Sequence, residues 1–182
     1  QLMCNTSNNY LKHQVIPAGC MATQERWLTD DEQRAWRALI GIVVLLPGAL
    51  DRQLERDSGL SQIEYGVLAM LSEAPDQTLR MSQLAALNDS SLSRLSHVAS
   101  RMEQRGLIVR RTCPEDRRAN IASLTEAGLA RVVAAAPAHV AWVRELIFDK
   151  LTPAQLKNLD EVASVIRAGL DPDKGPPPPQ VD

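Results

Sequence analysis

Aromatic side chains are scarce in this chain: three Trp, two Tyr and one Phe among 182 residues. So few rings cannot form a surface that stacks successive bases, which excludes a sequence-tolerant reader of single-stranded nucleic acid. An excess of either charge is missing too. Twenty Lys and Arg stand against 22 Asp and Glu, a formal −2 at pH 7, so the chain as a whole is not a polycation that coats nucleic acid. The three cysteines, Cys4, Cys20 and Cys113, are an odd set without C-x-x-C spacing or a nearby histidine. That excludes a disulfide framework and a zinc cluster, and reads as free thiols of a reducing cytoplasm. His13, His97 and His139 are too scattered for a metal site, and no cofactor is expected. The longest apolar run, LIGIVVLLPGAL at 39–50, is shorter than the ~20 residues of a membrane span and is interrupted by Pro47-Gly48. No basic start followed by an apolar stretch marks a signal peptide. These absences predict a soluble, cytoplasmic protein without a membrane partner.

What is present is enough apolar material, 45% of residues, for one real core or two small ones. The period of that material is mostly helical. Residues 1–24 show neither a helical nor a strand period and read as a disordered leader, with Met21 a candidate natural start. Residues 171–182 (DPDKGPPPPQVD) are too rich in proline for a helix and read as a disordered tail. In 25–60, Trp36, Leu39, Ile40, Val43, Leu50 and Leu54 recur at helical spacings while Ile42, Val44, Leu45 and Leu46 fill the other faces. A helix apolar all round must be covered on all sides, so it is expected in a dimer interface, kinked or broken at Pro47. Ser61-x-x-Glu64 is a capping box for a second helix, in which Ile63, Val67, Leu68 and Leu71 bury one face before Pro75. A short helix follows at 82–87, with a turn at Asn88-Asp89-Ser90. Thr125 caps a long helix interrupted by Pro137, and Thr152-Pro153-Ala154-Gln155 opens a last one running to about Leu170. The broad apolar faces of 125–170 are expected to join the first helix in dimerisation, leaving 61–124 as an inserted domain.

Within that domain, Ser90 to Arg105 (SSLSRLSHVASRMEQR) is the most informative stretch. At 100° per residue, Leu92, Leu95, Ala99 and Met102 share one side, while Ser90, Ser93, Arg94, His97 and Arg101 cluster on the other. That strip carries no acid. Ser, Arg and His reach phosphates and base edges in a major groove, and Arg can bridge two acceptors of guanine; a solvated polar face is the competing reading. Gly106 ends the helix, and two short strands at 107–111 and 119–124 flank a basic link, Cys113 to Arg118. Two helices, a turn, a polar helix and a basic hairpin make a winged helix-turn-helix. The expected fold is therefore mainly α with a small β-wing, plus a helical dimerisation domain. Helix in the major groove and hairpin arginines on the adjacent backbone or minor groove is the geometry such a module uses on double-stranded DNA. Local charge agrees, since eight arginines against four acids leave +4 between Arg80 and Arg118 and −6 on the remainder. No nucleophile with a base, phosphate loop or paired carboxylate points to an enzyme.

The run from Leu60 to Gly128 resembles the MarR (multiple-antibiotic-resistance regulator) family of winged-helix transcription factors. The most specific pieces are Arg105-Gly106-Leu107-Ile108, Glu115-Asp116-Arg117-Arg118 and Leu124-Thr125-x-x-Gly128, and with its helical flanks the likeness extends over about 29–170. It implies a homodimer whose recognition helices enter successive major grooves of a pseudo-palindromic operator, with half-sites ~34 Å apart, usually as a repressor. It further implies that Ser90, Ser91, Ser93, Arg94 and His97 read DNA, that Asp116 orients Arg118 by a salt bridge, and that Arg117 meets a phosphate. For the signal, two modes are open. A small aromatic or phenolic effector would lie between the dimerisation helices and the winged domain, where Trp36, Tyr65 and Met70 either line a cleft or pack the core. Alternatively Cys113, flanked by Arg110, Arg111 and Arg117, is a redox-responsive thiol rather than an inert one. A winged module that binds protein instead of DNA is the reading from a different class.

Overall fold

A computed structural model describes residues 26–170 apart from Pro114, Glu115 and Arg117; the expected leader and tail lie outside the described residues, as does Arg117. The chain divides into two compact units, one ending at Gly41 and one beginning at Ile42. Helix α1 (Asp30–Ser58) starts in the first and ends in the second, and it runs on through Pro47 without a break. In the first unit Thr29 caps α1. Its hydroxyl accepts from the Glu32 amide at 3.3 Å, and the Glu32 carboxylate accepts from the Thr29 amide at 2.7 Å. This reciprocal pair, with Asp30 and Asp31 beside it, sets negative charge on the positive end of the helix dipole.

The second unit holds the core. Helix α2 (Gln62–Glu73) opens on the Ser61/Glu64 capping box, then α3 (Met81–Leu87), α4 (Leu92–Gln104), α5 (Glu126–Leu146) and α6 (Pro153–Leu170) follow. Three strands, β1 (Thr78–Arg80), β2 (Ile108–Thr112) and β3 (Asn120–Leu124), form an antiparallel sheet in the order β1-β3-β2. The β2–β3 hairpin was expected from sequence, shifted by one residue at its start. β1 was not: three residues are too short to show a period, and Thr78–Arg80 becomes a strand only because β3 offers it an edge. There Thr78 pairs with Ser123, and their hydroxyls bond at 2.8 Å.

Leu68, Leu71, Leu84, Leu95, Met102 and Ile108, each almost wholly buried, form the centre where α2, α3, α4 and the sheet meet. One expectation needs correcting here. Leu92 does not face the core but is 52% exposed, and Val98 is buried in its place. Leu92 is the first residue of α4, a turn ahead of Leu95, where the core contacts of that helix begin. The flanking helices behave otherwise than the core. Along α1 only Gln53 and Leu54 are buried, and every residue of α6 is exposed, including Leu159, Val162, Val165 and Ile166.

A candidate nucleic-acid interface

The N-terminus of α4 is built by its own sequence. Ser91 takes extended backbone and its hydroxyl accepts from the Arg94 amide at 3.2 Å, satisfying an otherwise unpaired donor. Ser91 therefore spends its acceptor on the cap. From there the helix presents Ser93, Arg94, His97 and Arg101, all exposed, with Ser90 half-buried just before it. None of these four helical side chains forms an ion pair among the described residues, so their polar groups face solvent. Glu103, the one acid in α4, is taken out of play by Arg110. The Arg110 amide and guanidinium donate to its two oxygens at 2.8–3.0 Å, and these bonds hold the Glu103 carboxyl below the ordinary carboxylate pKa.

Two arginines of the basic segment are thus structural. Arg110 neutralises Glu103, and Arg105 binds the buried Glu64 at 3.1 Å and the Gly59 carbonyl at 2.9 Å, tying the end of α4 to the start of α2 and the end of α1. Arg80, Arg111 and Arg118 are left beside α4. Together with Leu92, Ser96 and Asn120 they border a groove of about 550 Å³ between α4 and the wing. The expected Asp116–Arg118 salt bridge does not form. Asp116 instead accepts from the Arg118 backbone amide at 3.0 Å, closing the turn, and its other oxygen lies 4.0 Å from Arg80. The reason is tertiary: β1, unseen in sequence, brings Arg80 to the wing. Cys113 is buried at the end of β2, its amide bonded to Ala119.

A second cleft, of about 700 Å³, lies between the C-terminal half of α1, α2, α5 and the start of α4. Tyr65 and Met70 line it while also packing against the core; Trp36 does not line it, and is 54% exposed on the N-terminal half of α1. Unanticipated were His139, Arg94 and Ser90, the last two shared with the polar strip of α4. No sequence period links residues 45 positions apart, so only the folded chain reveals that Arg94 and His139 share a wall. Asn88 donates to the Met70 sulfur at 3.2 Å and the Leu84 carbonyl at 2.9 Å, fixing the α3 end of the cleft. Gly66 makes room for it, since a Cβ there would lie 2.7 Å from the Asn88 oxygen.

Residues 58–119 match the model of the MarR family. Sco3205 of Streptomyces coelicolor, a MarR family transcriptional regulator solved in complex with DNA, is 43% identical over 84% of this chain and 95% of its own, with a TM-score of 0.79. The chain belongs to the MarR family. AbsC, another MarR family regulator of Streptomyces coelicolor, is 42% identical over 82% of this chain and 100% of its own, with a TM-score of 0.76. The HTH-type transcriptional regulator MhqR of Bacillus subtilis (strain 168) is 33% identical over 89 residues, 49% of this chain and 60% of the length of that relative. The fold is thus that of winged-helix transcription regulators, not of an enzyme family. No described helix is long and apolar enough to cross a membrane.

Proposed function

We propose that this MarR-family chain is a homodimeric repressor that binds double-stranded DNA through α4 and the wing and is released by a small aromatic effector. The observation that carries DNA binding is the outward face of α4: Ser93, Arg94, His97 and Arg101 stand exposed beside Arg111 and Arg118, while the only acid of the helix is neutralised. Such a face offers hydrogen-bond donors to phosphates and base edges without repelling them. The complex of Sco3205 with DNA supports the same use here. Dimerisation is supported by the apolar surface of α1 and α6, and the effector site by the cleft in which Tyr65 and Met70 meet Arg94. A ligand seated there presses on a side chain that reads DNA.

The test is footprinting and salt titration on the promoter region upstream of the protein's own gene. A protected pseudo-palindrome is expected, with log K falling against log[salt] at a slope of roughly −4 to −8. Arg94→Ala should cost about 1–3 kcal/mol and relax base preference, whereas Arg118→Ala should weaken binding with little change in preference. No protected site and a flat salt response would favour a protein partner for the same face.

A further inference from the structure

We propose that Leu92 selects thymine in the operator: its exposed side chain, in the first turn of α4, packs on the 5-methyl group of a thymine in the major groove. The proposal rests on the reading of α4 as the helix that reads DNA, and it adds to the polar strip a specificity residue of the opposite chemistry.

Leu92 is the one apolar residue of α4 that is exposed, whereas Leu95, Val98, Ala99 and Met102 are buried. An isolated leucine on an ordinary surface needs no partner. This one is placed otherwise. It is the first residue of the helix, directly after the Ser91 cap, and the bond from the Arg94 amide to the Ser91 hydroxyl fixes the backbone of that turn. The N-terminal residues of a recognition helix are those that meet base edges. Leu92 also borders the groove between α4 and the wing, with Ser96 one turn along and Arg80, Arg111 and Arg118 around it. Met81, the other large apolar side chain of that groove, is buried. Leu92 is therefore the large apolar group that the groove offers among the described residues.

Duplex DNA seated on the polar strip of α4 takes Leu92 out of water whatever the sequence beneath it, so the base it meets decides the energy. In the major groove guanine, adenine and cytosine present hydrogen-bond donors and acceptors, and thymine alone adds a methyl group. Against a polar edge the leucine strips water from a donor or acceptor and returns no bond. Against the methyl, both partners lose only apolar contact with water. One side chain thus attracts one base and penalises the other three. The methyl offers Ser93, Arg94 and His97 no hydrogen bond, so the strip lacks this discrimination without Leu92.

The probe is the promoter fragment upstream of the protein's own gene, copied once with dTTP and once with dUTP, which removes every thymine methyl and keeps the base pairing. Binding of the full-length protein to both copies is measured by gel shift at one salt concentration, because phosphate contacts then contribute equally. The wild type should bind the thymine copy roughly fourfold more tightly for each half-site, the worth of one buried methyl group. Leu92→Ala and Leu92→Gln put good helix formers at a half-exposed position, and each should discriminate between the copies by less than about twofold. Uracil placed at one thymine at a time should confine the wild-type loss to a single position in each half-site. A preference that survives in both variants overturns the role of Leu92 and assigns the effect to DNA shape or another side chain. Equal binding of the two copies by the wild type also overturns it while leaving α4 as the DNA-reading helix. Failure of the wild type to bind either copy overturns the DNA-binding reading and the proposal with it.

Discussion

Gly128 shows what one residue contributes. Its φ is that of an ordinary helix, so its need for glycine lies in space: a Cβ would lie 2.1 Å from the Leu107 carbonyl oxygen and 2.9 Å from Leu124. Thr125 causes this approach. Its amide donates to the Leu107 carbonyl at 3.2 Å, its hydroxyl is shared between the Gly106 and Leu107 carbonyls at 2.7 and 2.9 Å, and its oxygen also accepts from the Gly128 amide at 3.0 Å. Two short motifs, Arg105 to Ile108 and Leu124 to Gly128, are therefore one contact in the fold. The Thr125 cap was legible because capping is local; the Gly128 requirement was not, because Leu107 arrives from 21 positions away. Gly128→Ala should destabilise the protein by about 1–3 kcal/mol, the cost of overpacking against backbone that cannot yield, seen as a lowered midpoint in urea. Unchanged stability would mean that α5 shifts freely on the wing.

At the scale of the element, α4 was legible almost to its ends. Its 3.6-residue period separates the buried Leu95, Val98, Ala99 and Met102 from the exposed polar strip. Sequence could not show that its acid, Glu103, is paired with Arg110 and that Arg105 is claimed by Glu64 of α2. Arg110 reaches Glu103 from β2, and its Nη1 also lies 3.4 Å from the Ser96 carbonyl, so it clamps strand to helix. The pair is about one-third exposed on either side, which limits its strength. Arg110→Ala should cost about 1 kcal/mol in stability. It should also weaken DNA binding, because an unpaired carboxylate then stands beside the cationic face. The folded-state pKa of Glu103 is lowered, so the contribution of the pair is present above the ordinary carboxylate pKa and is lost as pH falls through the lowered value. Wild-type and Arg110→Ala stabilities should therefore draw together as the pH falls below the ordinary carboxylate range. A stability gap constant from pH 7 to pH 3 would refute the clamp.

For the whole molecule the governing observation is apolar surface that the protomer does not cover. Ile42, Val43, Val44 and Leu45 of α1 are 56–71% exposed, and α6 buries nothing. Soluble monomers rarely leave so many large apolar side chains exposed on two helices, and a second copy is the simplest cover. A chain ending before Pro153 should run as a monomer in light scattering, whereas the full chain should run as a dimer. It should also lose most of its operator affinity, because one half-site supplies only half the phosphate contacts. A truncated chain that stays dimeric would move the interface to α1 alone.

The sequence by itself determined where helices begin and which face of each is apolar, because caps and periodicity are written within a few residues. It also determined that the basic charge is confined to one segment of a slightly acidic chain. Tertiary structure alone decided how the arginines of that segment are placed, since Arg105 and Arg110 are claimed by carboxylates and Arg80 is delivered to the wing by a strand that exists only as a partner of β3. It likewise decided that Arg94, Tyr65 and His139 border one cleft. The nearness of side chains 29 to 74 positions apart carries no local signal, because their distance is set by how helices pack and not by how residues follow one another.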